Sequence, residues 1–200
     1  MKAGLLASGL LLMGALSPQA LASGVSCSPV EVVEESHESS DYSFIATLMC
    51  SAPSSQGMDE IRQQILDILK THGRITSSME DTSVNGMNGT SFTYRDNGYD
   101  TGHGTITITY DSYLVSNESR VSYEGLMIEK DANSYADHTQ AVTVNIDIEH
   151  ANDELSLTLV KHTTITKPVI APGFQKAVSK GLTKEVNILA HPYIVMLNSL

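Results

Sequence analysis

Residues able to carry chemistry are plentiful in this sequence, but few stand at a spacing that chemistry requires. Seven histidines invite a search for a metal centre. None shows the H-x-x-x-H spacing that sets two imidazoles on one helix face, and no neighbouring acids complete a ligand set. Neither a metal nor a cofactor is expected. His150 and His162 fall on neighbouring strands, yet a turn at Asn152-Asp153 sets His162 against Thr143 and His150 against Leu155. Asp100 and His103 flank a glycine-containing loop, where a carboxylate beside an imidazole can move protons. A solvated loop is the plainer reading. His191 precedes Pro192 and is read as part of a helix bend. No serine lies in a G-x-S-x-G context, and none of the turn glycines Gly86, Gly89, Gly98, Gly102 and Gly104 sits between strand and helix as a phosphate loop requires. No catalytic residue is assigned.

Cys27 and Cys50 are the only cysteines. If Pro29 to Glu35 and Tyr42 to Met49 form a hairpin turning at Glu38-Ser39, the register sets Cys27 opposite Cys50. A structural disulfide is expected, because an exported chain favours pairing and no C-x-x-C motif suggests redox work. Export is read from the first 22 residues. Lys2, the apolar run Leu5 to Leu16 and the small-x-small site Ala20-Leu21-Ala22 make a signal peptide of bacterial type. Periplasmic or secreted location follows as an expectation, with residues 23–200 as one domain. Asn88-Gly89-Thr90 and Asn117-Glu118-Ser119 match the glycosylation pattern but read as turns in such a chain.

The formal charge is −11, which disfavours nucleic acid as a partner. Lysines nevertheless gather late in the chain. Lys176, Lys180 and Lys184 form one row, read first as a solvated helix face and second as a weak contact for an anionic membrane surface.

The elements follow from periodicity. Phe174, Val178, Leu182, Val186, Leu189, Tyr193, Met196 and Leu200 recur every three or four residues, which predicts one long helix over 172–200 with Pro172-Gly173 at its start. Pro192 interrupts it and should bend its last turns. Ile61, Ile65, Ile68 and Leu69 predict a shorter helix from Met58 to His72, stopped by Gly73, after a polar loop Ser51 to Gly57. Arg74 to Val84 is an ambiguous, polar strand, and Asn85-Gly86 and Asn88-Gly89 both signal hairpin turns. Strands are then expected at Ser91 to Arg95, Thr105 to Leu114, Arg120 to Lys130, Ala141 to His150 and Leu155 to Thr166. Gly125 is read as a bulge that turns Leu126 and Ile128 inward.

Two strands, a helix, about six strands and a long helix describe an α+β fold: a curved antiparallel sheet gripping a C-terminal helix. This order, with the Pro172-Gly173-Phe174 opening of the last helix, resembles the helix-grip family of START and Bet v 1-like proteins, including polyketide cyclase-like members. The resemblance covers the chain from about Cys27 to Leu200. The family usually has two short helices where one is visible here, and the stapled hairpin is an addition.

The inward set includes Phe92, Ile106, Ile108, Val144, Ile146, Leu157 and Leu159, and also three tyrosines, Tyr94, Tyr110 and Tyr123. Tyrosine joins an apolar wall to a hydroxyl that can orient a ligand. Lys161 falls on the same face as Leu157 and Leu159, a costly place unless it reaches a rim or a ligand's acid group. Tyr94, Tyr110, Tyr123, Lys161, Phe174, Val178 and Leu182 are the candidate ligand residues. A carrier for a hydrophobic small molecule or lipid is the first expectation. A non-catalytic envelope or secreted interaction protein with a filled core is the second, and a cyclase- or hydrolase-like enzyme, as the resemblance implies, the third.

Overall fold

The structure is a computed structural model that describes residues 24–38, 41–100, 105–132, 138–166 and 172–200. The expected signal peptide and His103 lie outside the described residues. So does the side chain of Asp100.

Among the described residues eleven strands form one antiparallel sheet. They are β1 (Ser26–Cys27), β2 (Glu31–Glu38), β3 (Asp41–Pro53), β4 (Gly73–Ile75), β5 (Glu80–Val84), β6 (Met87–Asp96), β7 (Tyr99–Asp100), β8 (Thr105–Ser116), β9 (Arg120–Ala132), β10 (Thr139–Ala151) and β11 (Glu154–Thr166). The helices are α1 (Met58–His72) and α2 (Phe174–Asn198). The main path runs β1-β3-β11-β10-β9-β8-β6-β4, with β2 also on β3, β5 on β6 and β7 on β8. The last strand therefore pairs with the long early strand, and all other neighbours on the path from β8 to β11 are hairpins, as their short connections require.

Strict alternation decides which face is inner. Val142, Val144, Ile146 and Ile148 on β10 and Leu155, Leu157 and Leu159 on β11 are all buried. Opposite them α2 buries Leu182, Val186, Ala190, Tyr193, Met196 and Leu197. Each large side chain removed from water contributes about 1.5–3 kcal/mol, so this contact dominates the stability of the fold. Lys176, Lys180 and Lys184 stay exposed on the other side of the helix. Gly173, at φ 82°, starts the helix, and its carbonyl accepts the Ala177 N–H at 3.0 Å. Helix α2 continues unbroken through Pro192. Helix α1 buries Met58, Ile61, Ile65 and Leu69 and packs on β4, β6, β8, β9 and α2.

Five local expectations are corrected. β3 continues to Pro53, through residues read as loop, because Leu155 and Glu154 of β11 pair with Ala52 and Pro53. The first hairpin pairs Glu38 with Asp41, so its turn falls one residue later than expected. A register shift between Glu34 and Ser36, and a further one-residue slip before β1, restore Cys27 opposite Cys50. The ambiguous stretch from Arg74 is two short strands, β4 and β5, both on β6. Of the two Asn-Gly pairs, only Asn85-Gly86 is a turn, with φ 52° and 79°. Gly89 lies inside β6, where a Cβ would stand 2.0 Å from the Leu114 carbonyl oxygen of β8. Finally, the β9 irregularity is at Ile128 rather than Gly125, since Thr109 pairs Glu129 and Tyr110 pairs Met127. Leu126 and Ile128 consequently face outward and are exposed.

Cys27 and Cys50 form the expected disulfide, closing a loop of sequence separation 23. Such a loop stabilises the folded chain by about 3 kcal/mol through the entropy of the unfolded state. Replacing both cysteines by serine should lower the urea-unfolding free energy by about that amount. An unchanged midpoint would show that the bridge constrains nothing.

Candidate functional site

A cavity of about 120 Å³ lies under the C-terminal half of α2, between that helix, the end of α1 and strands β6, β8, β9 and β10. Tyr94, Tyr110, Tyr123 and Tyr193 wall it, with Val144 and Ile146 beneath. Exposed His72, Asn97 and Ile188 stand at its mouth.

The three predicted tyrosines thus meet at one place. Tyr94 and Tyr110 are direct cross-strand partners, their rings stacked with centroids 6.3 Å apart. Tyr123 follows on β9 and shares a hydrogen bond with Ser112 Oγ at 3.2 Å. Gly125 makes the space they use: a Cβ there would come within 2.7 Å of Tyr123 Oη and 3.2 Å of the Tyr110 ring. The glycine read as a bulge is the place where these two rings lie against the sheet. Burial, with like-signed neighbours, raises the phenol pKa values of Tyr94 and Tyr193 well above the ordinary value. Burial raises that of Tyr123 too, against its bond to Ser112. All three are neutral hydrogen-bonding groups at physiological pH.

The other predicted residues sit elsewhere. Phe174 packs edge-on against Tyr42, with ring centroids 5.3 Å apart, at the opposite end of α2. Val178 and Leu182 belong to the solid core. None of the three lines the cavity. Lys161 is 1 % exposed on the inner face, as its position on β11 required. Its ammonium donates to Glu185 Oε2 of α2 at 2.5 Å. The desolvation cost is met by a carboxylate of the chain itself, which lines the cavity.

Asp96, Glu185, Tyr193 and His72 complete the site and were not singled out from the sequence. Asp96 directly follows the strand expected at Ser91 to Arg95 and closes β6. Its Oδ1 accepts the N–H groups of Gly98 at 3.1 Å and Ile108 at 2.9 Å. Burial raises its pKa despite those two bonds and the nearby positive charges of Lys161 and Arg95. Glu185 did carry a signal: it is the only acid between Pro172 and Leu200, and Lys161 faces inward alone. A lone base on the sheet and a lone acid on the helix are natural partners.

Two measurements check this electrostatic account. A carboxyl whose folded pKa is raised binds more protons folded than unfolded, so stability falls as pH rises from its ordinary value of 3.8 through the higher folded value. Asp96→Asn keeps an acceptor for both N–H groups and should remove that part of the decline in pH-dependent urea unfolding. An unaltered pH slope would contradict the assignment. For the ion pair, Glu185→Gln should destabilise by about 3 kcal/mol, more than Lys161→Met, because the first leaves the buried ammonium without its nearest carboxylate. Equal costs would show that the pair is not desolvated.

No protein-family model matches the sequence, and no curated protein matches it. Solved structures of similar arrangement include a START superfamily protein from Mycobacterium smegmatis, 10% identical, with a TM-score of 0.48 over 78% of this chain and 97% of that one. CalU16 from Micromonospora echinospora is 12% identical, with a TM-score of 0.40 over 87% of each chain. A truncated norcoclaurine synthase from Thalictrum flavum is 15% identical, with a TM-score of 0.37 over 75% of this chain and 97% of that one. These likenesses concern fold alone. The sheet order and the two helices are the expected α+β arrangement, an antiparallel sheet with a short helix after the first strands and a long C-terminal helix.

Proposed function

We infer that this protein is an exported container for a hydrophobic small molecule, held between the sheet and the C-terminal half of α2. The observation that carries this reading is the cavity walled by Tyr94, Tyr110, Tyr123 and Tyr193 beneath α2. A purely structural core has no reason to leave such a space, since each void forfeits contact energy. The size sets the class of ligand. Pockets for drug-sized molecules run to about 300–1,000 Å³, whereas about 150 Å³ holds one benzene ring. At about 120 Å³, the site suits a single ring or a short branched chain and is too small to enclose a whole lipid. The wider expectation of a lipid is narrowed accordingly. Export rests on the leader-like first 22 residues and on the disulfide. The exposed lysine row of α2 supports a weak contact with an anionic membrane during loading, at the helix face away from the cavity.

One observation favours a catalytic reading second. Asp96 is a carboxyl of raised pKa in an aromatic cavity, and such a group can accept a proton from a bound substrate. Chemical change of a bound molecule by the protein, lost in Asp96→Asn, would move this reading ahead of simple carriage.

Native mass spectrometry of the protein purified from its source tests the container directly. The expected result is an added mass corresponding to a molecule of about one ring. Protein that emerges empty, and that takes up no apolar ring compound from solution, would refute it.

A further inference from the structure

The polar groups of the cavity are not evenly satisfied, and the pattern of what is missing describes a ligand. Tyr94 and Tyr193 are 5 % and 4 % exposed, and both line the cavity. Among the described residues neither phenol has a hydrogen-bond partner, whereas the neighbouring Tyr123 phenol has Ser112. Asp96 uses only one oxygen: both backbone N–H groups go to Oδ1, and Oδ2 accepts none from the described residues. These atoms are not sealed from solvent, so a guest that displaces water here must replace its hydrogen bonds or forfeit about 1–3 kcal/mol for each. Tyr94, Tyr193 and Asp96 thus bring two donors and one acceptor to the lining of one small, largely apolar space.

We propose that the cavity selects a ring-sized molecule bearing an oxygen that accepts from the phenols of Tyr94 and Tyr193 and a proton donor that the free oxygen of Asp96 accepts. Phenols, enols and hydroxy-ketones of one ring have this chemistry; hydrocarbons of the same size do not. The inference rests on the container reading and adds the polarity of its cargo. Selectivity comes from the protein side, because an apolar guest leaves Tyr94, Tyr193 and Asp96 unpaired. Tyr110 and Tyr123 then act as apolar walls, with Ile188 and His72 at the entrance.

The experiment compares phenol with toluene, nearly equal in size, by isothermal titration against the full chain. Phenol should bind about fivefold to tenfold more tightly. In Tyr94→Phe and Tyr193→Phe, which keep the rings, that ratio should fall toward one, with thermal melts confirming that each variant folds. Phenol binding no better than toluene would overturn the polar assignment and leave the container standing, its spare groups served by water only. A preference that survives in both variants would remove these tyrosines from the assignment. Failure of both compounds to bind would overturn the container reading itself. If a variant does not fold, the comparison on the unaltered protein still decides the question.

Discussion

The structure depends on a single contact, the packing of α2 across the inner face of the sheet. Neither surface is tolerable alone. The sheet presents Val142, Val144, Ile146, Ile148, Leu155, Leu157 and Leu159 on one side, and the helix presents Leu182, Val186 and Ala190 in register with them. Within that apolar contact one polar constraint fixes position. Lys161 is held on the inner face by the pleat of β11, and Glu185 is the carboxylate that meets it. Sliding α2 by a turn would part the two and strand a buried ammonium, whereas the apolar residues alone would accept neighbouring registers. The pair acts as a pin more than as a source of stability.

With the helix pinned there, its two halves have different surroundings. At its N-terminal end Phe174 packs on Tyr42 of β3. The C-terminal half borders the cavity with Tyr94, Tyr110 and Tyr123 of β6, β8 and β9. Gly125 lets the Tyr123 and Tyr110 rings lie close on the sheet, while Tyr123 is tied to Ser112 and Tyr94 is stacked on Tyr110. A cavity arises from the conflict between ring size and the positions the strands allow.

Much of this was legible in the sequence, and the failures share a cause. Period-2 alternation in β10 and the three-four stripe of α2 located the core, because those patterns follow directly from which side meets water. The three tyrosines and Lys161 were found the same way. What was missed depends on distance between segments remote in the chain. Asn88-Gly89 looks like Asn85-Gly86 until the Leu114 carbonyl is known to press on Gly89. Gly125 looks like a bulge until Tyr123 is seen lying over it. Asp96 is a turn residue by type, and only the folding of β8 beside it supplies the Ile108 N–H and removes water. Phe174, Val178 and Leu182 do not line the cavity, because a stripe shows which face is buried but not where along it a space lies.

The central claim is that a small, ring-lined space remains beneath the C-terminal half of α2. Diffraction from a crystal under xenon pressure measures that most directly, since xenon enters apolar voids of this size. The account predicts one strong internal peak bounded by Tyr94, Tyr123, Val144 and Tyr193. An interior without a peak, or with its peak near Phe174 and Leu182, would contradict it.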